Sequence, residues 1–544
     1  MKIKTLLYIF GILLSQVTTL AQEQKPTRKD TLQGGLRPER TNYDVLKYHL
    51  NLKVIPEKKY IEGFNEITFK TIRPLQKMQI DLFDNMTIDS IVFKNKKMNY
   101  QREFHAVFID FSAENNLENT TQNITIYYKG NPIEAKNAPW DGGFVYKKDA
   151  QGKPWIGVAV QGKGASIWYP CKDSQTDEPD YGALVEIAVP NGLMNVSNGK
   201  LIRTTPQKDN YTLWSWEVKN PINNYDITLN IADYAHFEDV YKNLSLDYYV
   251  LKENLEKAKI QFEEVKPMLD CFQSKFGPYP FENDGYKLVE TPYLGMEHQS
   301  AVAYGNKYRK GYLGMDLSGT GVGLKFDFII IHESGHEWFG NSITSADIAD
   351  MWIHEGFTQY AEIVYVECTQ GYDAALKYAK GLQKNVKNDV PIIGIYGVNR
   401  EGSGDMYPKG AMLLQTLRHC IDNDELWWKL LYDYSTTFKH KIIDTKTVID
   451  YFNQYIQRDY TAIFNQYLRY TTIPKLEISK QKKFLEYRWV TTEPNFSMPI
   501  VLEIDGKEYK IKATNSWQKL DLKSKKAKQI KVDISKYYIN LDVN

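Results

Sequence analysis

Residues 330–340 read "IIHESGHEWFG". His332 and His336 stand four apart, and Glu333 follows the first of them directly. On a helix, residues i and i+4 share a face, so the two imidazoles converge on one point while Glu333 projects beside it. Histidine nitrogen suits zinc, and a catalytic zinc takes three protein ligands and keeps one position open. At this composition an H-E-x-x-H match arises by chance in roughly one chain in a hundred, so the pattern needs a third ligand to carry weight.

Nineteen residues after His336, "DMWIHEGFTQYAE" (350–362) supplies Glu355. Two antiparallel helices joined by "NSITSADIA" would bring it to the metal. Glu333 would then lie beside the metal without binding it, placed to take a proton from a water bound there. Glu362, farther along the same helix, could orient a ligand histidine, while His354 reads as packing or a supporting hydrogen bond.

Working outward, residues 40–238 alternate apolar and polar or run with β-branched and aromatic residues, as in "YHLNLKVI", "FNEITFKTI" and "YDITLNIADY", and predict an all-β domain. Between 239 and 470 the period turns largely helical. There "KENLEKAKIQFEEVKPMLDCFQSKF" puts Leu255, Ile260, Phe262, Val265, Leu269 and Phe272 at approximately helical spacing, with Pro267 as a kink or break. From 471 to 544 alternation returns and predicts a small β-sandwich. The fold class expected is multidomain α+β. Residues 22–39, polar and carrying Pro and Gly, read as a loose leader.

The first 21 residues, "MKIKTLLYIFGILLSQVTTLA", place lysines before a short apolar run that ends in a small residue, the pattern of a secretory signal peptide cleaved after Ala21. The expected location is periplasmic or secreted, with no stable membrane insertion after cleavage. Four cysteines, Cys171, Cys271, Cys368 and Cys420, are too scattered for a disulfide framework and leave room for one bridge. A net charge of +1, from 68 basic and 67 acidic side chains, gives no field that would gather nucleic acid. The "KSKKAK" run at 523–528 reads as a solvated loop.

Taken together, "HESGHEWFGNSIT" and "WIHEGF" resemble the zinc signature of the gluzincin aminopeptidases, the family of aminopeptidase N and leukotriene hydrolase. The resemblance extends to "NYDVLKYHLNLKV", "WYPCKDSQTDEPD", "FGPYPF" and "YLGMEHQS". It implies a saddle-like N-terminal β domain, a thermolysin-like catalytic domain and a β-sandwich; the chain is too short for the family's large helical C-terminal domain, which implies a more open cleft. It also implies a zinc-dependent aminopeptidase with one Zn2+ held by His332, His336 and Glu355, and peptides with a free N-terminus as partners. In that reading Glu297, in "LGMEH", takes the substrate's α-ammonium group with help from Gln161, and Gly295 and Met296 present backbone to an extended substrate. Tyr407, in "MYPKG", stabilises the oxyanion. His298 and Gly335 depart from the family's usual asparagine and alanine. The alternatives are a non-peptidase hydrolase or endopeptidase on the same scaffold, or a binding protein without catalysis, which would normally have lost a ligand or the base.

Overall fold

The computed structural model describes residues 25–114, 117–160, 162–522 and 527–544. The expected signal peptide, Gln161 and most of the 523–528 lysine run lie outside the described residues.

The N-terminal domain is built on an eight-stranded sheet, and the strand Tyr43–Ile55 shows how. Tyr48, Leu50, Leu52 and Val54 point into the core, at most 1% exposed, while their neighbours face outward. Two-residue alternation turns one face of a strand to the core. This strand pairs antiparallel with Tyr60–Thr71 and parallel with Ala183–Pro190. Smaller sheets of four and three strands close over it around Trp168, Tyr169 and Trp216.

Ahead of it, the segment expected as a loose leader contains two helices, α1 (Arg28–Gly34) and α2 (Pro38–Thr41). The physical reason is a capping box. The Thr27 side chain accepts the Asp30 N–H, and the Asp30 carboxylate accepts the Thr27 N–H, which satisfies donors that a helix start otherwise leaves open. Leu32 is then buried, and the fully buried Arg40 pairs with Asp81.

The central domain opens with a five-stranded sheet in the order Tyr234–Tyr241, Leu244–Leu251, Tyr286–Glu290, Val302–Tyr304, Gly295–Met296. A boundary at 238 therefore cuts a strand, because Tyr234–Tyr241 is paired along its whole length with Leu244–Leu251. Around the sheet lie α3 (Leu255–Gln261), α4 (Val265–Phe276), α5 (Phe328–Gly335), α6 (Trp352–Gln370), α7 (Tyr372–Leu382), α8 (Pro408–Ile421), α9 (Asp424–Thr437), α10 (Thr445–Ile456) and α11 (Thr461–Arg469). Pro267 falls in the first turn of α4, where its missing N–H is not needed. A 3-10 segment over Phe262–Glu264 separates α3 from α4, and within α3 Ile260 lies about 100° round the helix from the buried Gln261 and about 200° from the buried Ala258, which leaves it 73% exposed.

The C-terminal domain is a sandwich of a four-stranded and a three-stranded sheet whose core runs on into that of the helices. A disulfide joins Cys271 in α4 to Cys368 near the end of α6, and Cys171 and Cys420 are buried free thiols. Among the described residues no helix is long and apolar enough to cross a membrane.

Candidate metal centre

Helix α5 begins at Asp327, whose side chain accepts the N–H groups of Ile329 and Ile330. Three consecutive isoleucines are poor helix formers on their own, and all three are buried, so packing rather than propensity holds the helix. It runs only to Gly335. His336 caps it, and the chain continues into a π-helical turn over Glu337–Asn341. Gly340, at φ +135°, makes that turn possible; a Cβ there would stand 3.2 Å from His336 Nδ1 and 3.4 Å from His354 Nδ1. The turn delivers the Phe339 carbonyl to His336.

Both imidazoles are oriented through Nδ1. His332 Nδ1 is 2.7 Å from Glu362 Oε1, whose other oxygen accepts the Tyr378 hydroxyl at 2.8 Å. His336 Nδ1 is 2.9 Å from the Phe339 carbonyl, with Thr358 Oγ1 beside it at 3.1 Å. Donation from Nδ1 leaves each Nε2 as a lone pair facing the centre.

Opposite them stands Glu355, in the first turn of α6. His332 Nε2 and His336 Nε2 are 3.3 Å apart, and Glu355 Oε2 lies 3.6 and 3.2 Å from them. Four ligands around zinc at about 2.0–2.1 Å stand about 3.3–3.4 Å from each other, which these separations match. Glu355 Oε2 is buried and makes no hydrogen bond among the described residues. Burial alone would raise the Glu355 carboxyl, but His336 and His332 outweigh it and hold it well below the usual carboxylate range. Burial likewise would lower both imidazoles, and the surrounding carboxylates push them up instead. A centre of this kind favours positive charge, and its donor set fits a zinc ion.

Glu333 and Glu297 flank the triad without belonging to it. Both are buried, at 8% and 3% exposure, and burial raises both carboxyls. Glu297 Oε1 has no hydrogen-bond partner among the described residues. Gly295 packs so closely on Glu333 that a Cβ at 295 would sit 2.6 Å from Glu333 Oε1. Gly295 and Met296 form the last strand of the five-stranded sheet, with one edge unpaired among the described residues. Tyr407 donates its hydroxyl to Glu355 Oε1 at 2.8 Å. Two glycines let it approach: Gly356 of α6 and Gly410 of α8 touch backbone to backbone, and a Cβ on Gly410 would lie 2.9 Å from the Gly356 Cα.

His332, His336, Glu355, Glu333, Glu297, Gly295, Met296 and Tyr407 thus line one cavity, together with the apolar Trp140, Tyr312 and Phe328. Gln161 lies outside the described residues, although its neighbours Val160 and Gly162 line the adjoining space beside Glu297. His354 accepts the Ser345 N–H through Nε2 at 2.8 Å and stays outside the triad. His298 is 1% exposed, and burial lowers it to about 3, so it is neutral. Thr358, the Phe339 carbonyl and Glu401 were not singled out in the sequence. Thr358 sits among the residues between Glu355 and Glu362, where a sidechain hydroxyl one turn from a ligand was the available signal; Glu401 had none.

Two family models match the chain: the Peptidase M1 N-terminal domain over residues 42–225 and the Peptidase family M1 domain over residues 260–467. Aminopeptidase B of Rattus norvegicus is 26% identical over 322 residues, which cover 56% of this chain and 46% of that protein. Aminopeptidase N of Streptomyces lividans is 29% identical over 197 residues, 34% of this chain and 22% of that protein. The chain therefore spans less than half the length of these curated relatives. The fold is similar to that of an M1 zinc metallopeptidase from Deinococcus radiodurans, at a TM-score of 0.67 and 19% identity, covering 81% of this chain and 95% of that one. A mutant of the same peptidase bound to Tyr-Ser-Ala matches at a TM-score of 0.64 and 19% identity, covering 80% of this chain and 95% of that one. The two family models together take in more than two thirds of the residues, and this chain belongs to peptidase family M1.

Proposed function

We propose that the protein is a zinc-dependent aminopeptidase that removes the N-terminal residue from peptides. One observation carries this reading: three ligand atoms at zinc spacing, a buried carboxyl beside them and a second, unpartnered carboxyl all face one cavity. His332, His336 and Glu355 would hold the ion. A zinc ion there supplies Lewis acidity toward the scissile carbonyl and the attacking water.

The chain's own groups do the rest. Glu333, raised by burial, accepts the proton of the attacking water and passes it to the leaving amine. The Tyr407 hydroxyl, kept protonated by burial, donates to the oxyanion as it forms. Glu297 pairs with the α-ammonium group, and an N-acylated peptide would leave that buried carboxylate unpaired, which makes the site select free N-termini. Gln161 completes the ammonium site in this reading, and the open edge at Gly295–Met296 takes the substrate backbone as an added strand. Similarity to aminopeptidases B and N supports the assignment. Export to an oxidising compartment, through the N-terminal segment, is supported by the Cys271–Cys368 bridge.

The test is a panel of aminoacyl fluorogenic amides and their N-acetylated forms, with and without a zinc chelator. Cleavage restricted to free amines and lost on chelation is expected. Cleavage of the blocked forms would make the protein an endopeptidase, and cleavage of neither would remove the peptidase assignment.

A further inference from the structure

A second cavity, lined by Glu297 but not by Glu333, opens between the N-terminal and central domains, so that Glu297 lines both cavities. Its walls include Tyr225 and Asp173 of the N-terminal domain, Asp347 and Met351 ahead of α6, and Glu401. Helix α1 closes it. Gln33 Nε2 donates to the Lys163 carbonyl, the Asn399 N–H donates to the Asp30 carbonyl at 3.1 Å, and a Cβ on Gly34 would stand 2.2 Å from the Val398 carbonyl carbon. The N-terminal segment is thus pressed against the loop that carries Glu401.

The cavity is acidic and lacks an internal counter-charge. Asp173, Glu297, Asp347 and Glu401 line it, and no lysine or arginine does among the described residues. Asp173 is satisfied by the Ser166 hydroxyl and N–H, and Asp347 by the N–H groups of Ala349 and Gly397. Glu401 accepts no hydrogen bond and forms no ion pair among the described residues. Burial, with Glu355 and Glu297 nearby, pushes its carboxyl up to about 7. A mostly buried carboxyl without a partner is costly to ionise, and an incoming cation relieves that cost. Neighbouring Tyr225 also holds its hydroxyl buried without a hydrogen-bond partner among the described residues.

We propose that this cavity receives the side chain of the substrate's first residue and that Glu401 makes it select a cationic side chain, lysine or arginine, over neutral ones. The inference rests on the aminopeptidase reading, which sets the α-ammonium group at Glu297 and the carbonyl at the triad. The first Cα then lies at the mouth of this cavity. A neutral side chain of similar length fills the same space and leaves Glu401 desolvated and unpaired.

Lysine and norleucine amides differ mainly in the terminal ammonium group and form the deciding pair. With zinc-loaded full chain, kcat/KM should favour lysine by about tenfold or more, and Glu401→Gln should reduce that ratio to about threefold or less. A wild-type ratio near one overturns the proposal. So does a variant that slows both substrates equally, because Glu401 would then serve the α-ammonium group. Calorimetric titration of lysinamide and norleucinamide separates this from the reading it rests on. If no amide is cleaved yet lysinamide binds more tightly, and Glu401→Gln removes the difference, the cavity assignment holds and the peptidase reading fails. Equal binding of the two amides overturns the assignment whatever the turnover.

Discussion

Gly295→Ala adds one methyl group at a place where the fold can absorb it and the proposed chemistry cannot. The new Cβ would lie 2.6 Å from Glu333 Oε1, 3.0 Å from Ile329 Cγ2 and 3.1 Å from Glu333 Cδ. Non-bonded carbon contacts settle at about 3.5 Å, so the carboxylate must retreat by about 0.5–1 Å. The obstacle is the free end of a side chain, and residue 295 lies outside the left-handed region, so backbone strain adds nothing. Overpacking of this kind costs on the order of 1 kcal/mol of stability, at the low end of its usual range. A base displaced by about 1 Å loses on the order of 10²-fold in rate. Steady-state kinetics on an aminoacyl amide should therefore show kcat reduced by about 10–100-fold. Zinc content should stay at the wild-type level, since the triad is not among the nearest neighbours of the added atom. The same change made in a Glu333→Gln background should cost little more, because both substitutions act on one group. A Gly295→Ala enzyme with kcat within twofold of wild type would refute the placement of Glu333 as the base.

Three further substitutions probe the rest of the centre and its surroundings. Tyr407→Phe removes the hydroxyl that reaches Glu355 and should lower kcat by about 10²–10³-fold with zinc retained; unchanged kcat would remove Tyr407 from the chemistry. Glu362→Gln weakens the orientation of His332 and should reduce zinc affinity by about 10–100-fold in a chelator competition, whereas wild-type affinity would show that His332 is held by packing alone. Glu178, raised by burial and by Asp180 and Asp177 to about 8 from an ordinary 4.5, stays protonated in the folded chain after the unfolded chain has ionised. Its contribution to stability is complete below about 4.5 and is lost as pH rises toward 8, so Glu178→Gln should raise the urea midpoint at pH 8 and leave it unchanged near pH 4. An equal shift at both pH values would contradict that sign.

The convergence of His332, His336 and Glu355 was legible because they are close in sequence: an i,i+4 pair, then a carboxylate at the start of the next long helix. The β, helical and β succession was legible from periodicity, since strands such as Tyr43–Ile55 alternate cleanly. Much of what escaped was set by contacts between distant segments. Residues 28–41 look like a leader by composition, yet the Thr27–Asp30 capping box and Leu32 make helices that close a cavity beside Glu401, some 370 residues later. Ile260 reads as part of an apolar stripe by its chemistry, but on α3 it faces away from the buried Ala258 and is exposed. Gly356 and Gly410 matter only because α6 and α8 meet there, and Cys271 finds Cys368 across a separation of 97 residues. The Thr27–Asp30 pair is a local signature that the polar composition around it masks, whereas the glycine contact and the disulfide leave no local signal.

The central claim is that Glu333 performs proton transfer beside a zinc ion it does not hold. Zinc content and turnover measured on the same preparations of wild type and Glu333→Gln test it most directly. The account predicts one zinc per chain in both and a fall in kcat of about 10³-fold or more in the variant, in line with the loss of a positioned base. Turnover preserved in the variant would contradict it, and so would a variant that has lost its zinc, since Glu333 would then be a ligand.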